Sequence, residues 1–242
     1  MQEIVSLAII GFISEIIGTI GGFGSSLFFV PLASFFLDLP TVLGITAFFH
    51  VFSNVSKIAL FRKGFDKKLV IQMGIPAVLF VIVGAFLSKY VNGDCMELIL
   101  AIFLIIISLV LMMTHLIQIT ANAKNAVVGG AMTGFVAGLI GTGGAIRGIV
   151  LSVFNLKPEI FVATSAFIDL GIDFSRSVVY AANGYVKWDV LYLLPILVSV
   201  SFFGTWIGKK VLLKIPQERF KYVVLGLILS TGIVTIVKEI FF

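Results

Sequence analysis

Arg147 is the residue whose surroundings most demand a role. It stands among apolar and small residues, with no other charge between Lys124 and Lys157. A charged side chain at membrane depth is costly and normally faces a cavity or a partner. Its planar fork of donors suits a sulfonate or carboxylate, or it could close an internal salt bridge to Asp169 or Asp173; the two roles do not exclude each other. Immediately before it lies the cluster Gly141-Thr142-Gly143-Gly144-Ala145, and an earlier one reads Gly22-Phe23-Gly24-Ser25-Ser26. Glycines here break a helix and expose backbone N–H groups. A half-helix that begins at such a break directs its positive dipole end into the space before it, which favours an anion. The substrate-binding candidates are therefore Gly22, Gly24, Ser25, Ser26, Gly141, Thr142, Gly143, Gly144 and Arg147. A dinucleotide fold would need a preceding strand and a βαβ chain, and nothing here alternates that way. Gly130, Gly134 and Gly138, spaced by four, read instead as a smooth face for close helix packing.

A second set of polar residues is arranged in stripes. His50, Asn54 and Lys57 are spaced i, i+4, i+7, and so are Asp169, Asp173 and Arg176. Each trio therefore occupies one face of an otherwise apolar helix. His50, Asn54, Asp169 and Asp173 are candidates for proton coupling or for lining the cavity; for His50 a plain internal hydrogen bond is the competing role. Lys57 and Arg176 lie nearer their helix ends, where they are expected to snorkel to the headgroups. Glu15 is a weaker candidate, with no charged residue at its repeat-equivalent position. Ser25, Ser26, Thr46, Thr142, Thr164 and Ser165 could supply neutral donors. No metal-ligand cluster, nucleophile with its base, or P-loop is found, so neither an enzyme, a cofactor nor an ATP motor is expected.

The elements that position these residues follow from the apolar runs. Of 242 residues, 60% are hydrophobic and 12% charged, far from a soluble domain, where about 25% are charged. Apolar segments fall at about 3–20, 24–37, 41–61, 69–90 and 96–119, then at 126–141, 145–156, 159–182, 189–211 and 217–240. A shift of 119 lays the first glycine cluster on the second, Pro76 on Pro195, and the His50 trio on the Asp169 trio. This is read as an internal duplication, residues 1–120 and 121–242, within a single membrane domain. The runs 24–37 and 145–156 rise only about 21 and 18 Å, short of the roughly 30 Å hydrocarbon core. Each glycine cluster is thus expected to join two half-helices that enter and leave on one side. Pro40 and Pro158 open helices, while Pro76 and Pro195 are expected mid-helix, as kinks. The fold class is all-α and polytopic: two inverted repeats, each a glycine-broken re-entrant pair plus three transmembrane helices, about eight membrane segments in all.

Charge placement sets the orientation. The connection 62–68 carries four basic residues and its equivalent 183–189 only Lys187, whereas 89–97 has only Lys89 and its equivalent 209–221 has five. Equivalent loops then lie on opposite sides, both basic loops face the cytoplasm of a cell (inner) membrane, and both termini lie outside. The net charge of +5 comes from these loops, so no nucleic-acid partner is expected. The N-terminal run has no basic leader and reads as a retained segment, and the single Cys95 rules out an internal disulfide. The partners expected are a small anionic substrate and the lipid bilayer, with self-association as a homo-oligomer a further option.

With its glycine cluster before an apolar half-helix, a proline turn, a Thr-bearing helix, and turns such as Arg62-Lys63-Gly64-Phe65 and Asn183-Gly184-Tyr185, the chain resembles the sulfite exporter TauE/SafE family of membrane transporters over nearly its whole length. The family motif is roughly Gly-x-Gly-Gly-Gly followed by an apolar run and Pro-x-Leu. The first copy here has serines at two glycine positions before Val30-Pro31-Leu32, and the second carries Arg147 and no following proline. The resemblance implies transport of a small sulfur-containing anion such as sulfite, thiosulfate or an organosulfonate. Together with the residues it points to a secondary transporter, with a proton as one coupling option; the alternatives are a passive anion channel or a transporter of another small organic anion.

Overall fold

The computed structural model of the chain describes residues 2–113, 119–187 and 190–214, with the single positions 229 and 233. The run over 217–240, the end of the run over 96–119, and Arg219 and Lys221 of the second basic connection lie outside them. Among the described residues are nine helices and no strand: α1 (Gln2–Gly21), α2 (Ser26–Ala33), α3 (Leu39–Leu60), α4 (Lys67–Ser88), α5 (Gly93–Met112), α6 (Ala123–Ile140), α7 (Gly144–Ser152), α8 (Pro158–Ala182) and α9 (Leu193–Leu212). The chain is an all-helical, polytopic membrane protein. Five of these helices, α1 from Glu3 onward and α3 to α6, are long and apolar enough to cross a bilayer. The 25-residue α8 is longer still, but it carries Glu159, Asp169, Asp173 and Arg176.

Helix starts follow local chemistry. The carboxylates of Asp38 and Asp66 and the amides of Asn92 and Asn122 accept from backbone N–H groups three residues on, satisfying donors that a helix leaves open. Pro40 and Pro158 sit in the first turns of α3 and α8. Pro195 departs from expectation. Because α9 begins only at Leu193, it lies in the first turn rather than mid-helix, where a missing N–H costs nothing; Pro76 alone of that pair is inside its helix.

The broken pairs also differ from the sequence reading. α2 and α7 hold 8 and 9 residues, about 12 and 14 Å of rise. They are shorter than their apolar runs, with turns following at 34–36, where the Ser34 hydroxyl donates to the Pro31 carbonyl at 2.9 Å, and at 153–155, where Asn155 adopts φ +51°. By contrast α1 and α6 hold 20 and 18 residues, about 30 and 27 Å, so only the second member of each pair is a half-helix. Gly11 and Gly18 do not interrupt α1. They give it close approach to Leu197 and to the backbone of Ser25.

Packing repeats a single scheme. α6 runs alongside α4 in the same direction, with Gly130, Gly134 and Gly138 pressed onto the carbonyls of Met73, Ala77 and Val81. A Cβ at any of the three would strike backbone, which makes this stripe a packing face. In the same way α1 runs alongside α9, with Gly204 against Glu15 and Gly208 against Thr19. α3 and α8 pack against each other antiparallel: Lys63 pairs with Glu159 at one end (2.5 Å) and Asp38 with Lys187 at the other (2.8 Å). The Lys209 ammonium donates to the Leu60 carbonyl at 2.6 Å, so the start of the second basic connection lies beside the first. Side chains such as Ile71, Ile75, Leu79, Phe80 and Val83 on α4, and Ile102, Ile106 and Leu109 on α5, are exposed; an apolar belt of this kind suits lipid.

Candidate functional site

The two glycine breaks meet at the centre of the bundle. Gly22 (φ +70°) and Gly141 (φ +78°), 119 residues apart, both adopt the left-handed conformation that side chains disfavour. At Gly144 the other break is so close that a Cβ would collide with the Phe23 carbonyl. The Ser26 hydroxyl donates to Thr142 Oγ1 at 3.3 Å, tying one break to the other. Between them lies a small, partly open cavity. The N-termini of α2 and α7 face it through Gly24, Ser25 and Ser26 and through Gly143 and Gly144, and first-turn N–H groups have no acceptor within their own helix.

Arg147, on α7, is 2% exposed and lines this cavity. It pairs with Asp169 on α8, donates from Nε to Ser165 Oγ at 3.2 Å, and reaches the Gly22 carbonyl at 3.4 Å. Of the two carboxylates open to it in the sequence, Asp169 is the partner. Asp173 is taken by Arg176 Nε at 2.7 Å and by the amide of Asn54 at 2.7 Å. Arg176 also donates to the Gly141 carbonyl at 2.7 Å, which fixes the second break to α8.

Lys57 and Arg176 do not snorkel. They are 7% and 1% exposed, because each finds a carboxylate inside the protein. The Lys57 ammonium lies 2.8 Å from Glu15 Oε1 and 2.7 Å from Ser53 Oγ. Glu15 is wholly buried and also accepts from Ser53 (2.8 Å), Thr205 (2.9 Å), Ser25 (2.7 Å) and Thr19 (3.3 Å). His50 links this cluster to the other: Arg176 Nη2 lies 3.3 Å from Nδ1, and Ser25 Oγ lies 3.0 Å from Nε2. An arginine only donates, so Nδ1 accepts and the ring proton sits on Nε2. A directed chain results, running from Arg176 through His50 and Ser25 to Glu15.

The cavity wall contains Gly24, Ser25, Ser26, His50, Asn54, Gly141, Gly143, Gly144, Arg147, Asp169 and Asp173 among the residues singled out from sequence. Gly22 and Thr142 stand behind it. They act through the Gly22 carbonyl and through the bond to Ser26. Thr46 and Thr164 are not part of the wall, and Thr164 accepts from the Asp66 N–H instead. Sequence reasoning underrated Lys57, Arg176 and Glu15, although the basic residue shared by both stripes at one repeat position was a usable signal. It missed Thr133, a wall residue on α6 whose buried hydroxyl has no hydrogen-bond partner among the described residues. Around the cavity the three cations Lys57, Arg147 and Arg176 are matched by three carboxylates, Glu15, Asp169 and Asp173.

A chain with this architecture has recognisable relatives. It is 26% identical to "Probable membrane transporter protein YunE" of Bacillus subtilis (strain 168), an alignment covering 99% of this chain and 100% of that protein. It is 30% identical to "Probable membrane transporter protein MJ0441" of Methanocaldococcus jannaschii over 69% of this chain and 66% of that one. No solved structure matches it. The profile of the family described as sulfite exporter TauE/SafE matches residues 7–235, and the chain belongs to that family of membrane transporters.

Proposed function

We propose that the protein is a secondary transporter that carries a small sulfur-containing anion, of the sulfite, thiosulfate or organosulfonate class, through the cavity between the two glycine breaks. The observation that carries this reading is Arg147, a buried guanidinium at the start of α7 in a wall to which two helix N-termini and the Thr133 hydroxyl, unpartnered among the described residues, also contribute. Helix N-termini and an arginine fork are the groups that recognise a planar or tetrahedral oxyanion. The family's description as sulfite exporters supports the sulfur chemistry.

The transport cycle rocks one inverted repeat against the other around this fixed site. The 119-residue correspondence of the breaks, and the matching of the α4–α6 seam to the α1–α9 seam, support the repeats. The basic connections face the cytoplasm of a cell (inner) membrane, a reading supported by the contact of Lys209 with Leu60 and by the concentration of basic residues on such loops. A proton is the coupling ion, carried by a carboxylate or by His50 in the cavity wall.

Flux and binding of sulfite, thiosulfate, sulfonates and carboxylates in proteoliposomes test the reading. Saturable uptake of a sulfur oxyanion is expected, with binding weakened roughly 10- to 100-fold in Arg147→Ala, the cost of losing charged hydrogen bonds. Unchanged affinity in that variant would remove the central claim, and unsaturable flux that no gradient drives uphill would identify a channel.

A further inference from the structure

The donors around each carboxylate differ enough to decide which group moves when the anion arrives. Glu15 accepts from four hydroxyls as well as from the Lys57 ammonium, and its side chain is fully buried. Asp173 is held by both Arg176 and Asn54 and is 7% exposed. His50 has both ring nitrogens committed, one of them to an arginine that would oppose a second ring proton. Asp169 is different. Among the described residues it accepts from Arg147 alone, and its side chain, 17% exposed, is the most open of the three cavity carboxylates.

The charges impose a further constraint. Because three cations already have three carboxylates, an anion entering unaccompanied would leave the site with an excess negative charge in a medium that screens poorly. The Arg147 guanidinium, anchored by Ser165 through Nε, can keep its place while the oxygen acceptor on its outer nitrogens changes. Resting on the transporter reading, we propose that the anion takes the place of the Asp169 carboxylate on Arg147, and that Asp169 accepts one proton as it is displaced. Anion and proton enter together, the guanidinium exchanges one oxyanion for another, and the net charge of the site is unchanged. Every charged group near the exchange stays in place: Arg147 on α7, Asp173 and Arg176 on α8, His50 and Lys57 on α3, and Glu15 behind them on α1. Within the proposed class the transported species is therefore a monoanion, hydrogen sulfite or a sulfonate rather than the thiosulfate dianion, with one proton, and the Thr133 hydroxyl is positioned in the same wall as a neutral donor to it.

The test uses the full-length protein in nanodiscs and methanesulfonate, a monoanion with no proton of its own to exchange near neutral pH, beside hydrogen sulfite. Proton uptake in weak buffer is followed with an indicator dye while binding is titrated. Wild type is expected to take up about one proton per anion bound, with affinity falling about tenfold per pH unit on the alkaline side. Asp169→Asn, which keeps an oxygen for Arg147, is expected to bind with uptake near zero and little dependence on pH. As a check independent of any variant, infrared difference spectra of wild type should gain a protonated-carboxyl band when the anion binds. Binding by wild type without proton uptake or without that band, or uptake that persists in Asp169→Asn, overturns the exchange while leaving anion transport standing. Wild type that binds neither anion at any pH overturns both.

Discussion

Removing the charge of Glu15 should destabilise the protein more than removing the charge of its partner, and removing both should restore most of the loss. The Glu15 and Lys57 side chains are 0% and 9% exposed and their charged atoms lie 2.8 Å apart. Glu15→Gln keeps the size of the side chain and an oxygen at the Oε1 position for Ser53 and Thr205, but it puts an NH2 group where Ser25 donates and leaves the Lys57 ammonium without a counter-charge among the described residues. Stripping one partner from a buried pair costs about 3–5 kcal/mol, roughly a 10²- to 10⁴-fold shift in the unfolding equilibrium. Lys57→Met leaves a carboxylate that still has four hydroxyl donors, so its cost should fall below that range. In the double variant no unpaired charge remains, and the net loss should shrink to about 1 kcal/mol. The cycle then has a compensating coupling of at least about 2 kcal/mol, which reversible unfolding in mixed micelles can measure. A Glu15→Gln variant within about 1 kcal/mol of wild type would refute the pairing. A double variant as unstable as Glu15→Gln would move the energy from the charge pair to the hydroxyl cluster.

Further outcomes follow from other parts of the molecule. Gly134→Ala should drive a methyl group into the Ala77 carbonyl and cost about 1–3 kcal/mol of stability, the usual price of overpacking; a thermal-stability assay that finds no loss would mean the α4–α6 seam is looser than described. Cys95, the single cysteine of the chain and an exposed one, should react with a membrane-impermeant maleimide from outside intact cells, and labelling only after permeabilisation would reverse the proposed orientation. At Asp38, burial works to raise the carboxyl, but hydrogen bonds from Lys187 and Thr41 outweigh it and hold the group below its ordinary value of 3.8. A group lowered on folding stabilises above its unfolded value, so this contribution should be present at neutral pH and vanish as pH falls below 3.8. Both partners are half exposed, so Asp38→Asn should change the free energy of unfolding at pH 7 by no more than about 1 kcal/mol.

The spacing of residues carried much of this architecture. Identical offsets in the glycine clusters and in the polar stripes located both breaks and the helices α3 and α8 behind them, because a period and an offset are properties of the chain alone. The pairings were less legible. Asn54 and Asp173, 119 residues apart, meet at 2.7 Å because α3 and α8 are antiparallel and cross at these equivalent positions, a fact of packing rather than of spacing. Glu15 looked solitary because its equivalent position is Gly134, and its true partners come from α3, α9 and the first break. The same cause hid the burial of Lys57 and Arg176: a position near the end of an apolar run predicts snorkelling only when no carboxylate waits inside.

The distribution of these pairs bears on how such a site could open. Among the described residues each buried ion pair joins residues from one half of the chain: Glu15 with Lys57 in the first, and Arg147 with Asp169 and Arg176 with Asp173 in the second. Across the halves the cavity is bridged by hydrogen bonds, Asn54 to Asp173, Arg176 to His50, Ser26 to Thr142 and Arg147 to the Gly22 carbonyl. The ion pairs that do cross, Asp38 with Lys187 and Lys63 with Glu159, sit at the two ends of the α3–α8 pair, where side chains reach solvent. Separating a buried pair costs several kcal/mol, whereas an exposed pair is worth about 0–1 kcal/mol. A rocking motion of the proposed kind would therefore break hydrogen bonds that water or substrate can replace and an end pair of little strength, while the buried ion pairs of the described residues would travel within their own halves. Had Glu15 paired with Arg176 instead, each cycle would have had to pull two opposite charges apart in a medium of low dielectric, and the barrier would rise by the cost of that separation.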